Sequence, residues 1–223
     1  MLVAALLSAC QTTGGPPRDE WVKLPKDLLR MEVDSDFYGG RIEALGSEAE
    51  AAWLTGGRSQ RYLERLTFSG PRYVLSLHLR MLPKGWHWTV PESVVGLQDD
   101  LRDLYGWTLG EGIELGAISV VRTGFPRSFY ARFSSKGRQC AGMMIASGVG
   151  GLSNSFRNTV IAYICASAGS ASSLSEETIV AMMQALRIKD AYYNGGGFSD
   201  EQIRYFKGKQ EGVVLRRHSQ ASS

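Results

Sequence analysis

The chain has 223 residues, which is enough for one generous domain or two small ones and for a sizeable core. Hydrophobic residues make up 43% and charged residues 21%, values that are ordinary for globular proteins and that argue against a wholly disordered chain. The net charge of +3 is small, and much of the positive excess sits near the C-terminus, so the charge does not indicate a nucleic-acid-binding surface.

The N-terminal nine residues are small or apolar and precede a single cysteine. The run from Leu2 to Ala9 is too short to cross a bilayer and has the character of the apolar region of a signal peptide. Within it, Leu7-Ser8-Ala9-Cys10 resembles the lipobox of bacterial lipoproteins. The resemblance implies that the Cys10 thiol is acylated, that the chain is cut just before it, and that Gln11 directs the protein to the outer membrane, facing the periplasm. The alternative interpretation is that residues 2–10 begin an N-terminal helix or strand.

Four segments are expected along the chain. Residues 1–9 are interpreted as a truncated lipoprotein signal segment, because no Lys or Arg precedes the apolar run. Residues 10–18 are expected to form the lipidated cysteine and a flexible tether rich in Thr, Gly and Pro. Residues 19–207 are expected to form a single α+β globular domain, and residues 208–223 a disordered basic tail.

The first half of the expected domain shows two helical patterns and one hairpin. Helix formers followed by Gly56-Gly57 predict a short helix over residues 43–53. Residues 62–68 and 73–82 flank Ser69-Gly70-Pro71 and predict a β-hairpin, whose second strand alternates like a half-buried strand. The clearest helix covers residues 91–105, where apolar residues recur every three or four positions and Gly106 is expected to end the helix.

The second half predicts four strands and two further helices. The strands cover residues 115–122, 128–133, 139–146 and 159–166, with a Gly-, Ser- and Asn-rich loop over residues 147–158. A capping pattern from Ser173 to Glu176 predicts a helix to about Ile188, and Ser199-Asp200-Glu201-Gln202 starts another short one. Because helices and strands do not alternate strictly, we expect an α+β fold: a mainly antiparallel sheet of about five or six strands, with two to four helices packed on one face.

The same interpretation predicts a role for each of the three cysteines. If Cys10 carries lipid, Cys140 and Cys165 remain as a pair on successive predicted strands, and the midpoint between them falls inside the predicted loop. Because the periplasm is oxidising, we expect a disulfide between them. Two alternatives stay open: buried free thiols in a cytosolic protein, or a thiol nucleophile served by His78 or His87.

Known catalytic and metal-binding patterns are missing from the sequence. The histidines are scattered, the spacing of a phosphate-binding loop does not occur, and Gly151-Leu152-Ser153-Asn154-Ser155 lacks the second glycine of a serine-hydrolase elbow. We therefore predict no catalytic residue, no metal and no cofactor. The most unusual segment is Trp86-His87-Trp88, where the two Trp side chains would share one face of a strand. They could form a binding surface for a sugar or a partner, although core packing under the following helix is the favoured interpretation.

Three functional hypotheses follow. The leading one is a non-enzymatic envelope lipoprotein, held in the membrane by its lipid and acting through an envelope protein or a cell-wall partner. The second is an envelope hydrolase acting on glycan or peptide, with its cleft at Trp86 and Trp88. The third is a module that binds a small ligand beneath the 147–158 loop. A deep pocket that gathers titratable side chains would separate these hypotheses.

Overall fold

The computed structural model describes residues 20–54, 61–82, 88–89, 93–110, 112–149, 155–169, 173–189 and 199–208. Arg18–Gly197 forms one compact unit, and residues 199–208 are the described part of a second. No helix in these residues is long and apolar enough to cross a bilayer. The strands are β1 (Val22–Lys23), β2 (Met31–Val33), β3 (Gly46–Leu54), β4 (Arg61–Ser69), β5 (Tyr73–Met81), β6 (Trp88–Thr89), β7 (Ile118–Val120), β8 (Arg127–Ser135), β9 (Arg138–Val149), β10 (Ser155–Ala166) and β11 (Leu186–Ile188). The helices are α1 (Val94–Leu109), α2 (Glu176–Ala185) and α3 (residues 200–208), with a 3₁₀ turn over Lys26–Leu28 and a π-helical turn over Phe37–Arg41.

Most strands join one antiparallel sheet. Its order is β1-β3-β4-β5-β10-β9-β8-β7, and β6 pairs with β10 beyond the end of β5. The remaining two strands, β2 and β11, pair with each other. The predicted α+β class with a mainly antiparallel sheet is therefore confirmed, but the main sheet has nine strands in the described residues instead of five or six. Within the main sheet, the strands that the sequence did not predict are β1 and β6, two residues each, and β3; β2 and β11 of the second sheet were not predicted either.

Strand β3 corrects the helix predicted over residues 43–53. It pairs with β4 along its whole length, with Glu50 directly opposite Arg65. The helix propensity of Glu and Ala is worth only a few tenths of a kcal/mol per residue, so a complete ladder with cross-strand side-chain pairs overrides it.

Helices cover both faces of the sheet, which corrects the prediction that they pack on one face. On the α1 face, Leu97 and Leu101 pack against β8, β9 and β10 in a core that includes Phe129 and Met144. The opposite face, here the α2 face, carries the segment before α2: Arg132 Nη1 donates to the Leu174 carbonyl (2.7 Å) and the Leu174 amide donates to Gln139 Oε1 (3.1 Å). Strand alternation puts Arg132 and Gln139 on the face opposite the α1 core. The predicted half-buried strand β5 is consequently covered on both sides: Leu75, Leu77 and Leu79 face one layer, and Ser76 and His78 the other.

A buried carboxylate holds the chain before β2 on the α2 face. Glu64 in β4 accepts hydrogen bonds from the Arg30 amide (2.7 Å), the Met31 amide (2.8 Å) and the Tyr62 hydroxyl (2.6 Å). Burial raises the pKa of the Glu64 carboxyl, and these donors, together with the Arg30 charge, act in the opposite direction. Because removing Glu64 would leave two buried backbone amides without an acceptor, its role is to fix this segment.

Helices α1 and α2 both begin at a serine cap later in the chain than predicted, α1 at Val94 instead of residue 91 and α2 at Glu176, and their C-terminal ends also differ from prediction. Helix α1 begins after Ser93, whose Oγ accepts from the Gly96 amide (3.0 Å), and it continues past Gly106 to a C-cap at Gly110 with φ of 95°. Helix α2 begins after Ser175, not Ser173, and ends at Ala185. The predicted last turn to Ile188 is strand β11 instead, because these residues pair with β2.

Helix α3 confirms the short helix predicted from Ser199. The Ser199 amide donates to Gln202 Oε1 (2.9 Å) and the Gln202 amide donates to Ser199 Oγ (3.2 Å), which is a reciprocal capping box.

The β9–β10 hairpin is longer than predicted. The loop expected over residues 147–158 is wrong at both ends, since β9 runs to Val149 and β10 starts at Ser155. Asn158 lies opposite Ser147, and the two side chains are in hydrogen-bond contact (3.4 Å). Polar and glycine residues predicted a loop here, but ladder pairing continues through them. Residues 150–154 lie outside the described part of the chain.

Candidate functional site

A polar groove lies on the α1 face, where strands β3, β4 and β5 extend beyond the helix. Helix α1 packs on β9 and β10, so its C-terminal half forms one wall and the three strands form the floor. The cavity has a volume of about 240 Å³. Its lining is polar, with an aromatic contribution from two tyrosines: Glu48, Glu50, Arg65, Thr67, Ser76, Leu104, Tyr105, Thr108 and Tyr163.

Sheet register explains why these side chains meet. One row across the strands runs from Glu48 through Thr67 and Ser76 to Tyr163. Residues at such directly opposed positions point to the same face of the sheet, so each row puts four strands' side chains side by side. The neighbouring row runs across the same four strands from Glu50 through Arg65 and His78 to Ile161.

Hydrogen bonds connect the groove residues to one another. Arg65 Nε donates to Glu50 Oε2 (3.1 Å), forming an ion pair at the groove edge. The hydroxyls of Thr67 and Ser76 lie 3.3 Å apart. Tyr105 donates from its hydroxyl to the Ile161 carbonyl (3.1 Å), and its ring contacts the Tyr163 ring with centroids 4.8 Å apart. The groove therefore presents several fixed hydroxyl groups beside an internally neutralised pair of charges.

His78 lies beside the groove and is only 4% exposed. The Trp21 ring packs on it edge-to-face at 5.3 Å, and the Tyr105 ring does so at 6.4 Å. Neither ring nitrogen of His78 has a hydrogen-bond partner among the described residues. Burial, together with the positive charges of the nearby Arg80, Arg65 and Arg61, lowers the pKa of His78 to about 3.

The tyrosines of the groove are shifted in the opposite direction. Burial raises the pKa of Tyr105 well above its usual value of 10, and burial likewise raises the pKa of Tyr163. His78 is thus neutral and both tyrosines keep their protons at neutral pH. These groups can donate or accept hydrogen bonds, but their pKa values are not placed for proton transfer near pH 7.

Other cavities in the described residues are less convincing as sites. One of about 590 Å³ lies beside β8 and β9, and the side chains of Arg132 and Gln139 in its lining are hydrogen-bonded to the backbone of Leu174. A smaller one of about 260 Å³ includes Lys189, whose Nζ lies 3.6 Å from Glu32 Oε2. Among the described residues, no group of three His, Cys, Asp or Glu side chains could hold a metal ion.

Cys140 and Cys165 lie directly opposite each other on β9 and β10. Their Cα atoms are 4.1 Å apart and their sulfur atoms are at disulfide distance. The centre of the hairpin register falls between residues 152 and 153, as the sequence midpoint predicted. Both residues are buried in the core beneath α1.

The structure does not bring either cysteine to His78. His78 lies opposite Ile161, whereas Cys165 lies opposite Val74, four residues away along both strands. At the rise of an extended chain this separation is about 13 Å. His78 is therefore too far from Cys165 to act as the base of a thiol nucleophile, which contradicts that alternative.

The remaining predicted site residues are described only in part. Cys10, Trp86 and His87 lie outside the described residues. For Trp88 the structure describes the backbone, which pairs with Phe156 of β10. On α1, Asp100 reaches the sheet through an ion pair with Arg80 (2.8 Å).

Sequence reasoning missed the groove for identifiable reasons. Glu48 and Glu50 were assigned to a helix, which hid the alternation that puts both on one face. Ser76 and His78 were recognised as one face of a strand, but that face was interpreted as solvent-exposed. The groove could have been recognised from the alternation of charged and hydroxyl residues in the three consecutive segments that form β3, β4 and β5.

Comparison with known proteins gives no further assignment. No family model, no curated protein and no solved structure matches this chain.

Proposed function

We propose that this protein is a lipid-anchored, non-enzymatic binding component of the bacterial envelope. In this proposal Cys10 carries the lipid, residues 11–18 form the tether, and the sheet domain faces the periplasm from the outer membrane. The domain acts by holding an envelope protein or a cell-wall component. The similarity of Leu7-Ser8-Ala9-Cys10 to a lipobox supports the anchor.

The observation that carries the proposal is the pairing of Cys140 with Cys165. The two residues occupy directly opposed positions in a buried hairpin, with their sulfur atoms at disulfide distance. Structural disulfides persist in oxidising compartments and are rare in the cytosol. A buried cysteine pair and a lipobox-like cysteine thus support the same location by independent routes.

The electrostatics of the polar groove favour binding over catalysis. General acid–base catalysis is most effective when a group's pKa lies near the working pH. Here the pKa of His78 is lowered to about 3 and the pKa of Tyr105 is raised, both away from neutrality. The groove side chains are suited to hydrogen bonding with a ligand in one protonation state.

The anchor is tested by replacing Cys10. We expect the full chain, given a complete signal sequence in a Gram-negative host, to sediment with the outer membrane, and Cys10→Ser to move it to the soluble fraction. Mass spectrometry of the N-terminal peptide should show the acyl groups on Cys10 only in the unsubstituted protein. Gln11→Asp is the matched neighbour variant: it keeps Cys10, so the protein should remain membrane-bound but shift to the inner membrane.

Two results would contradict this proposal. One is a wild-type protein as soluble as Cys10→Ser. The other is a membrane-bound protein whose Cys10 carries no lipid, because some other feature would then hold it at the membrane.

A further inference from the structure

We propose that the polar groove binds one neutral sugar ring of a glycan close to the membrane. The inference deepens the proposed function by naming the ligand class, and it rests on that function only for the location of the glycan.

Hydroxyl groups from four elements converge in the groove. Thr67 and Ser76 contribute theirs from adjacent strands, 3.3 Å apart. Tyr163 from β10 and Tyr105 from α1 add two phenolic groups, and the Ser76 hydroxyl is hydrogen-bonded to Tyr105. The Tyr105 hydroxyl is already used by Ile161 and Ser76, whereas a hydroxyl such as that of Thr67 can both donate to and accept from a sugar hydroxyl.

The charges at the groove edge disfavour an anionic ligand. Arg65 and Glu50 already neutralise each other and Glu48 adds an exposed carboxylate, so an anion would be repelled by Glu48 and would compete with an existing pair for Arg65. Both groups nevertheless keep unused capacity, since a carboxylate has about four acceptor sites and a guanidinium has five N–H donors. Glu50 can accept and Arg65 can donate to neighbouring sugar hydroxyls while the pair stays intact. An amino acid, with its two opposite charges, has less to gain here.

Trp21 supplies an aromatic surface next to the ion pair. The Arg65 guanidinium lies 4.9 Å from the centre of the Trp21 ring, and 37% of Trp21 is exposed. A large aromatic ring with one exposed part suits the apolar C–H face of a sugar. Beneath it, His78 is buried and keeps a donor and an acceptor that no described residue uses. Both ring nitrogens are shielded from solvent and His78 does not line the groove, so His78 supports the Trp21 ring from below and does not contact the ligand itself.

The size and position of the groove narrow the ligand further. A volume of about 240 Å³ is below the range of roughly 300–1,000 Å³ that is usual for sites of drug-sized ligands, so one ring fits better than two. Trp21 is eleven residues from Cys10, and a fully extended chain of that length reaches about 40 Å. A groove beside Trp21 on a lipid-anchored chain would therefore sample glycans near the membrane surface.

The experiment is an NMR titration of the isotope-labelled, disulfide-intact full chain carrying Cys10→Ser, which needs no lipid to stay in solution. The probes are a β-1,4-linked tetramer of N-acetylglucosamine, maltotetraose and, as the peptide arm, tetra-alanine. We expect at least one of the two sugars to shift the resonances of Thr67, Ser76 and the Trp21 indole at millimolar concentration, and tetra-alanine to leave them unchanged.

Variants test whether the groove is the site. Thr67→Val with Ser76→Ala removes two hydroxyls and should weaken sugar binding about tenfold, since a neutral hydrogen bond is worth about a factor of three to ten. Ser119→Ala is the matched control, because it removes one hydroxyl from β7 at the opposite side of the sheet. Thermal unfolding of each variant shows that it is folded. If the double variant does not fold, Trp21→Ala takes its place with the same expected loss.

The inference is overturned by any of four results: no shift with either sugar, shifts that map outside the groove, equal binding by the double and control variants, or binding of tetra-alanine alone. These results leave the lipidation test untouched. Conversely, a Cys10 without lipid would refute the anchor without changing sugar binding in solution.

Discussion

The pKa of His78 differs strongly between the folded and the unfolded chain. Its pKa falls from 6.5 to about 3 on folding, because burial and the charges of Arg80, Arg65 and Arg61 disfavour the protonated ring. Between these two pH values the unfolded chain binds a proton that the folded protein does not. Stability from His78 is therefore complete above about pH 6.5 and is lost as the pH falls towards 3.

Replacing His78 should reduce the sensitivity of the fold to acid. Between pH 6 and pH 4, we expect the His78 contribution to lower the free energy of unfolding by up to about 1.4 kcal/mol per pH unit, and His78→Phe to remove that contribution. Phe keeps the ring and loses no hydrogen bond, since His78 makes none with the described residues. Urea unfolding of the wild type and of the variant at about four pH values between about 4.5 and 7.5 measures how the free energy of unfolding of each protein depends on pH.

The control for this comparison is the measurement above pH 7, where His78 is neutral in both states. There the variant should match or slightly exceed the wild-type stability. Parallel pH dependences for the two proteins would show that His78 is protonated in the folded state.

The cysteine pair allows a second prediction for individual residues. We expect non-reducing peptide mapping of the exported protein to recover Cys140 joined to Cys165. The bond closes a loop with a sequence separation of 25, so reduction should cost about 3 kcal/mol of unfolding free energy. The Cys140→Ala, Cys165→Ala double variant should lose a similar amount and retain sugar binding. Free alkylation of both thiols in the native exported protein would contradict the pairing.

At the level of secondary-structure elements, the turn between β4 and β5 packs closely on the chain after the π-helical turn. A Cβ atom added at Gly70 would overlap the carbonyl oxygen of Ile42, which is backbone and cannot rotate away. Gly70→Ala should therefore destabilise the fold by about 1–3 kcal/mol, measured by urea unfolding.

Gly124→Ala is the matched control for this substitution. Gly124 also lies in a connection, but an added Cβ there meets no atom within 4 Å. Its unfolding free energy should stay within about 0.5 kcal/mol of the wild type. Equal effects at the two positions would mean that the close approach at Ile42 is not a constraint on the fold.

The same elements show what sequence patterns can and cannot predict. The β4–β5 hairpin and α1 were predictable because their alternation or helical periodicity is strong and local. Strand β3 was not predictable in this way, because its Glu and Ala residues favour a helix by themselves and form a strand only through pairing with β4. The last turn of the predicted α2 failed similarly, since Leu186–Ile188 pairs with β2, more than 150 residues earlier in the chain.

For the whole molecule, the position of the cysteine pair was predictable from the sequence, whereas the groove was not. Cys140 and Cys165 belong to one hairpin, so a count of the intervening residues was enough to place them opposite each other. The groove draws on β3, β4, β5, β10 and α1, and no local pattern reports that these come together. Its residues became visible only when the order of the sheet was known.

Pairing between β2 and β11 also bears on when the protein can fold. Met31–Val33 pairs with Leu186–Ile188, and the Lys189 amide donates to the Arg30 carbonyl (2.7 Å). Strand β2, near the start of the domain, can therefore pair only after β11, near its end, has been synthesised. Contacts of such long sequence separation form slowly, because the chain between them must first be ordered. If the protein is exported as proposed, the β2–β11 pairing cannot be complete while the end of the domain is still being synthesised, which leaves that part of the chain unfolded for a secretory translocon.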